Sequence, residues 1–258
     1  MSGDSRAVGF SGNTLKIIAA ITMLIDHIGI ILLPEIGVLR IIGRISFPIY
    51  AYMIAEGCFY TRNKLRYFAC IFILGVICQA VYATQSGDNF LGILITFSIS
   101  IIVVYALQYM KKTLLFKEAL AKQILSFIIF STLTVGVYFL NKLLTIDYGF
   151  FGCMAPAFAS LFKMPRKIEA GESERKAERT NFLSSPFLKE RLPNVILLGI
   201  CLVFMSFSMM DYQIFAIAAL PLLLLYTGRR GRLKMKYFFY VFYPLHLVIL
   251  EGISYLIK

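Results

Sequence analysis

The apolar run at residues 15–33, LKIIAAITMLIDHIGIILL, constrains the fold more than any other part of the sequence. A helix of about 20 apolar residues crosses the hydrocarbon core of a bilayer. Asp26 and His27 lie inside this run. A charged side chain near the bilayer centre costs at least about 2.5 kcal/mol, and it is tolerated mainly where it faces protein or water. The run therefore predicts a membrane-spanning helix whose polar side chains face the interior of a bundle.

The composition of the whole chain also indicates a membrane protein. Of its 258 residues, 59% are hydrophobic and 16% are charged, whereas soluble domains are about 45–50% apolar and about 25% charged. The formal net charge is +12, which the enrichment of Lys and Arg in cytoplasmic loops explains without a nucleic-acid partner. Residues 1–13 lack the features of a signal peptide, so we expect no cleavable signal before the first helix.

The other apolar runs predict an all-α, polytopic transmembrane helix bundle in the bacterial cytoplasmic membrane, with about nine spans in a single domain that covers residues 1–258. The predicted helices are 15–33, 41–60, 67–84, 90–110, 123–141, 150–162, 194–208, 212–227 and 237–257. The polar segment 163–191, which mixes both signs of charge, predicts a cytoplasmic loop.

The basic residues predict the orientation of the chain. If the N-terminus is cytoplasmic, most of the 26 Lys and Arg residues lie in cytoplasmic connectors, and the opposite connectors carry only Arg40, Lys142 and Lys258. This asymmetry is the one expected of membrane proteins. We therefore predict a cytoplasmic N-terminus and a C-terminus on the outer side.

Ionisable side chains concentrate in the outer half of the predicted bundle. They are Asp26, His27, Arg44, Asp147, Asp211, His246 and Glu251. A structural explanation exists, because Arg44 can neutralise Asp26 and each histidine can bond a backbone carbonyl. However, buried ions are costly to keep, and ionisable residues inside a membrane indicate a functional site by default.

Other polar and helix-breaking residues near these groups lead to local predictions. Nearer the inner face, Lys16 and Glu56 are expected to pair with each other. Pro48 and Pro244 each remove a backbone hydrogen bond and are expected to kink their helices beside Arg44 and His246.

Sequence motifs exclude several kinds of chemistry. The five cysteines form no CxxC pair, so we expect neither a disulfide framework nor a metal site. The chain has no P-loop, GxGxxG, HExxH or nucleophile elbow. The segment GRRGRLK at 228–234 either binds the phosphates of a cofactor or carries ordinary cytoplasmic charge.

The sequence resembles the TraX family, whose namesake is the pilin acetylase of conjugative pili. The resemblance lies in LKIIAAITMLIDHIG, LRIIGRISFPIYAYMIAEGCFYTRN, IDYGFFG at 146–152, QIFAIAALPLLLLYTGRRG at 213–231 and YFFYVFYPLHLVIL at 237–250. It implies transfer of an acetyl group from cytoplasmic acetyl-CoA to an amine or hydroxyl at the other face. The acceptor would be a pilin-like peptide or a cell-surface sugar.

Acyl transfer needs a base and a group that stabilises the developing oxyanion. His27 and His246 are the candidate bases, and the family's Asp-His motif favours His27. Arg44 is the candidate for the oxyanion or the acceptor, and Asp26 would orient Arg44 or a histidine. The basic residues expected to attract the phosphates of CoA are Arg62, Arg229, Arg230 and Arg232.

Two other classes of function remain open from the sequence. A proton-coupled transporter or flippase would use the same buried groups as a proton relay, although the chain has no repeated halves. A noncatalytic scaffold for surface-fibre assembly would use them only for helix packing.

Overall fold

The computed structural model describes residues 9–83, 90–163, 186–209, 212–231 and 235–257, and these are mostly helical. The helices are α1 (Gly12–Ile31), α2 (Gly37–Gly43), α3 (Ser46–Tyr60), α4 (Lys64–Ala83), α5 (Ile93–Leu115), α6 (Leu120–Leu143), α7 (Gly149–Phe158), α8 (Pro186–Met209), α9 (Leu220–Leu224) and α10 (Lys236–Ile257). A 3-10 helix, Tyr212–Ala219, precedes α9. The short strands β1 (Phe90–Leu91) and β2 (Thr145–Ile146) pair in parallel.

Six helices among the described residues are long and apolar enough to cross a membrane. They are Gly12–Ile31, Gly37–Tyr60, Ile93–Leu115, Leu120–Leu143, Arg191–Met209 and Phe238–Ile257. The apolar helices Gly149–Phe158 and Tyr212–Leu224 are shorter. The fold is thus an all-α membrane bundle, as predicted. The number of about nine spans and the side on which the N-terminus lies stay predictions.

The predicted helix 41–60 starts earlier and is interrupted. It begins at Gly37, so Arg40 lies in α2 rather than in a connector, and the helical pattern breaks at Arg44 and Ile45. Pro48 explains the break, because a proline lacks the N–H that would bond the carbonyl four residues earlier and its ring crowds that carbonyl. The carbonyl is that of Arg44. The hydrogen bond that Pro48 was predicted to remove is therefore lost at the arginine, and a bend of the helix there stays a prediction.

Other predicted boundaries differ from the structure. The predicted helix 212–227 is instead a 3-10 helix followed by α9. Pro221 lies in the first turn of α9, where the N–H that proline lacks would have no partner within the helix. Residues 90 and 91 form a strand instead of the start of a helix. The predicted loop 163–191 was too long at its C-terminal end, because α8 already begins at Pro186. Residues 164–185 of that loop lie outside the described part of the chain.

The core of the bundle lies where α3, α5, α7 and α8 meet. Its fully buried side chains include Ile49, Ile101, Leu198 and Met205. By contrast, α6 exposes most of its apolar residues, as expected for a helix that faces lipid. The helices α1 and α10 pack against each other at the side of this core. This arrangement leaves a space between α1, α3, α4, α5 and α10.

Candidate functional site

A cavity of about 1240 Å³ occupies this space. One end lies beside Lys16 and Arg230, and we call it the basic end. The other end lies beside Asp26 and His27, and we call it the histidine end. Lys16 and His27 are both on α1, about 17 Å apart along its axis at a rise of about 1.5 Å per residue. Apolar side chains such as Met53 line the middle. The cavity therefore joins two polar sites through an apolar passage.

Two histidines meet at the histidine end. The rings of His27 and His246 lie edge to face, with centroids 4.9 Å apart and an interplanar angle of 82°. His246 is 5% exposed, and Phe242 stacks on its ring at 5.1 Å. His27 lines the cavity itself. Packing of α1 against α10 thus brings together two side chains that are far apart in the sequence.

Backbone contacts fix the tautomer of both rings. His27 Nδ1 is 2.9 Å from the Met23 carbonyl, and His246 Nδ1 is 2.9 Å from the Phe242 carbonyl. A carbonyl oxygen only accepts hydrogen bonds, so each Nδ1 carries the proton and donates it. In a neutral imidazole the Nε2 atom then has a free lone pair. His246 Nε2 is buried without a hydrogen-bond partner among the described residues. Both rings therefore present a basic nitrogen.

An ion pair lies next to His27. Arg44 Nη2 donates to both carboxylate oxygens of Asp26, at 2.6 and 2.7 Å, and Arg40 Nε lies 3.6 Å from Asp26 Oδ1. A Cβ atom at Gly43 would collide with the Asp26 carboxylate. Glycine at this position therefore lets α2 approach α1 closely enough for the pair to form.

The connector from β2 to α7 contributes a further carboxylate. Asp147 lines the cavity, and its backbone is held at both ends: its N–H donates to the Leu91 carbonyl at 2.9 Å, and its carbonyl accepts from Thr96 Oγ1 at 3.0 Å. Burial raises the pKa of the Asp147 carboxyl to about 7, although the nearby Arg44 guanidinium opposes the shift. This carboxyl can therefore gain or lose a proton near neutral pH.

The residue after Asp147 has an unusual backbone. Tyr148 has φ of 60°, in the left-handed region, and Gly149 also has φ of 60°. The Tyr148 ring stacks on Phe47 with centroids 4.0 Å apart, and the Arg44 guanidinium lies 6.0 Å from its centre. A non-glycine residue in this region costs of order 1–3 kcal/mol and persists where its surroundings hold it. The stacking supplies that restraint.

The basic end is built on the start of α1. The N–H groups of Gly12 and Asn13 donate to the carbonyls of Arg229 and Arg230, at 2.7 and 3.1 Å, while Ser11 Oγ accepts from the Thr14 N–H at 3.2 Å. These contacts satisfy amides that have no partner within the helix. They fix the loop that carries Arg230 beside the cavity.

The prediction that Lys16 pairs with Glu56 was wrong. Glu56 forms its ion pair with Lys163, and Tyr226 donates to it at 3.5 Å. Lys163 reaches Glu56 because Lys111 holds the end of the preceding helix through the Ser160 carbonyl, at 3.2 Å, and the Lys163 carbonyl. Lys16 is therefore left as a cation of the cavity wall.

The structure brings some of the predicted site residues together and separates others. Asp26, His27, Arg44 and Arg230 line the cavity, and His246 packs against His27. Arg62 and Arg229 are exposed and do not line it. Arg232 and Asp211 lie outside the described residues.

Five charged lining residues were missing from the predicted site. They are Lys16, Arg40, Glu56, Asp147 and Glu251. Asp147 and Glu251 had a signal in the sequence as carboxylates at the outer ends of helices. Arg40 had been placed in a connector, and Lys16 had been paired with Glu56. Among the described residues, no group of three or more His, Cys, Asp or Glu side chains is suited to a metal ion.

These features define a multi-pass membrane protein whose all-α bundle encloses a cavity with two polar ends. The family model described as TraX protein matches residues 11–173 and 181–254. Since this match covers most of the chain, the protein belongs to the TraX family. No solved structure matches it.

Two curated proteins are similar to part of the chain. A "Probable fimbrial assembly protein FimC, serogroup H1" of Dichelobacter nodosus is 35% identical over 83 residues, which is 31% of this chain and 34% of that protein. An "Uncharacterized protein RP591" of Rickettsia prowazekii (strain Madrid E) is 44% identical over 85 residues, which is 33% of this chain and 32% of that protein. The matched region thus spans about a third of each relative.

Proposed function

We propose that this protein is a membrane-embedded acyltransferase that moves an acetyl group from cytoplasmic acetyl-CoA to an amine or hydroxyl acceptor at the opposite face. The observation that carries the proposal is the continuous cavity between a basic end and a histidine end. An acyl-CoA has the same polarity pattern, with phosphates at one end and a thioester at the end of a long arm. The donor would therefore lie along α1.

The basic end suits the phosphates of the donor. Lys16 and Arg230 line it, and they are close enough to repel each other electrostatically. Two neighbouring cations attract a phosphate, because its negative charge neutralises their positive charges. Glu56 lies nearby, but its charge is already balanced by Lys163. The exposed Arg62 and Arg229 would act only on the approach of the donor.

The histidine end suits the acyl transfer itself. His27 Nε2 has a free lone pair, so it can take a proton from the attacking amine or hydroxyl. Arg44 and Arg40 place positive charge beside it, where an oxyanion forms on the thioester carbonyl. Asp26 holds Arg44 at 2.6 and 2.7 Å. The chemistry needs no metal ion.

A pilin-like peptide is the favoured acceptor. The resemblance to the TraX family implies a pilin acceptor, and one relative bears the name of a fimbrial assembly protein. Both point to surface fibres. A cell-surface sugar is the other acceptor that this chemistry allows.

The test of the donor is thermal stability of the detergent-purified protein with acetyl-CoA, with desulfo-CoA as a control. A ligand at a hundredfold excess over its Kd stabilises a protein by about 2.7 kcal/mol. We expect a clear rise in Tm with acetyl-CoA. No rise at millimolar ligand would overturn the proposal.

The first prediction concerns the base. His27→Ala is expected to lower acetyl transfer by at least about 100-fold while acetyl-CoA still raises the Tm, since general bases contribute about 10²–10⁴ in rate. His246→Phe keeps a packed ring against His27 and is expected to lower transfer much less. A fully active His27→Ala protein would contradict the assignment of His27.

A proton-coupled transporter is the second candidate, because the cavity follows α1 from one polar end to the other. Buried histidines and carboxylates also serve as proton relays. In a transporter, acetyl-CoA would not stabilise the protein, and the same melting experiment separates the two functions.

A further inference from the structure

Asp147 is a carboxylate of the cavity that the acetyl transfer described above does not use. Both arginines of the histidine end are directed at another group: Arg44 contacts Asp26 at 2.6 and 2.7 Å and Arg40 lies 3.6 Å from it. Asp147 forms no ion pair with any residue that the structure describes. Its side chain is therefore available to a ligand in the cavity.

The chain around Asp147 is shaped to hold it there. Its two backbone groups are bound to Leu91 and Thr96, and the next two residues both have φ of 60°. Tyr148 is not a glycine, so this conformation is maintained against a cost of order 1–3 kcal/mol. Such strained positions occur where function requires a particular geometry.

We propose that Asp147 binds the acceptor as an ammonium ion and removes its first proton. This inference rests on the proposed acetyl transfer and assigns a further catalytic residue to it. It also commits the acceptor to being an amine, since a hydroxyl carries no charge and has a single proton to lose.

The two bases then share the protons of one amine. The ammonium R–NH₃⁺ gives one proton to the Asp147 carboxylate, and the resulting amine attacks the thioester carbonyl. A C–N bond forms and the C–S bond breaks. The second proton passes from the nitrogen to His27 Nε2 and then to the departing thiolate. The products are the amide, the free thiol and one proton, which Asp147 releases to water.

The charges at the histidine end favour a cation. The charged residues that line it are Asp26, Asp147, Glu251, Arg40 and Arg44. With neutral histidines and an ionised Asp147, these described residues carry three negative and two positive charges. The basic end has the opposite balance, with Lys16 and Arg230. An anionic donor and a cationic acceptor would thus be attracted to opposite ends of one cavity.

The proton affinity of Asp147 supports this role. Its pKa is raised to about 7 by burial, and the usual pKa of an α-amino group is about 7.7–8.0. Proton transfer between groups of similar pKa is efficient near neutral pH. The charged and titratable groups that act on Asp147 are Asp26 of α1, Arg40 and Arg44 at α2, and Tyr148 and Cys153 at α7.

The experiment is Asp147→Asn in the full-length protein, with acetyl-CoA and a peptide that has a free N-terminal amine, at pH 6–9. We expect a loss of about 100-fold near pH 7, where the Asp147 carboxylate is ionised and the amine is still protonated. The loss should shrink above about pH 8, because the amine then loses its proton to water. Glu118→Gln is the matched control, since it removes a carboxylate that lies outside the cavity lining, and it should retain the wild-type pH profile.

A second substrate keeps the test decisive if Asp147→Asn does not fold. A peptide with a hydroxyl in place of the amine should be acetylated by the wild type without an inflection near pH 7. An equal loss at every pH, or no loss at all, would overturn the role of Asp147 while leaving the transferase in place. If the wild type neither transfers acetyl nor is stabilised by acetyl-CoA, the proposed function fails and this inference fails with it.

Discussion

The contacts of Asp26 were only partly predictable from the sequence. Two opposite charges in neighbouring apolar helices indicate mutual neutralisation, and the structure confirms that they meet. The contact between Arg40 and Asp26 could not be predicted from the sequence. Arg40 reaches Asp26 only because α2 starts at Gly37 and because Gly43 leaves room for the carboxylate.

Removing one charge of this pair is expected to destabilise the protein. Asp26→Asn leaves the buried Arg44 guanidinium without its main counter-charge, and breaking a buried pair in this way costs about 3–5 kcal/mol. Thermal unfolding of the detergent-purified protein measures the effect as a lowered Tm.

The double change Asp26→Leu with Arg44→Met serves as the control. It removes both charges at similar volume, which is often close to neutral for stability, so it should recover most of the lost Tm. A double variant as unstable as the sum of the single changes would show that the charges do not depend on each other.

At the scale of one element, the turn from β2 to α7 is determined by contacts that lie far apart in the sequence. The segment IDYGFFG carried the family resemblance, but its backbone follows from the Phe47 ring, the Leu91 carbonyl and Thr96. A Cβ atom at Gly152 would collide with Tyr148. Glycine at 152 is therefore needed for Tyr148 to keep its left-handed conformation.

Gly152→Ala is expected to destabilise the protein by about 1–3 kcal/mol, as overpacking in a core does, and to reduce acetyl transfer because Asp147 moves with Tyr148. Gly136→Ala is the control. It lies inside α6 with nothing within 4 Å of the added atom, so better helix propensity should leave the Tm unchanged or higher. Equal Tm values for the two variants would argue against the tight packing at Tyr148.

At the scale of the whole molecule, some cationic residues line the cavity and others do not. The sequence does not distinguish these two groups. Arg62 and Arg230 both lie in basic connectors, but only Arg230 lines the cavity. The reason is the docking of the loop at 228–231 on the start of α1, through the Gly12 and Asn13 amides.

We expect Arg230→Gln and Lys16→Gln each to weaken the binding of acetyl-CoA several-fold. Arg62→Gln should leave it nearly unchanged, because Arg62 does not line the cavity and its charge is screened by water and salt. Titration calorimetry at two salt concentrations measures both effects. A loss of similar size for Arg62→Gln would mean that general positive charge, rather than the basic end of the cavity, attracts the donor.

The sequence by itself determined that the chain is an all-α membrane protein, because apolar runs of the length of a bilayer leave the backbone no alternative to helices. Its motifs separately carried the resemblance to the TraX family. It also identified Asp26, His27, Arg44 and His246, since ionisable residues stand out against an apolar background. Only the tertiary structure decided which of them meet. The two histidines lie in the first and last helices, and the packing of α1 against α10 places their rings 4.9 Å apart. Helical periodicity sets the face of each residue within its own helix, but the pairing of helices is a property of the packed bundle.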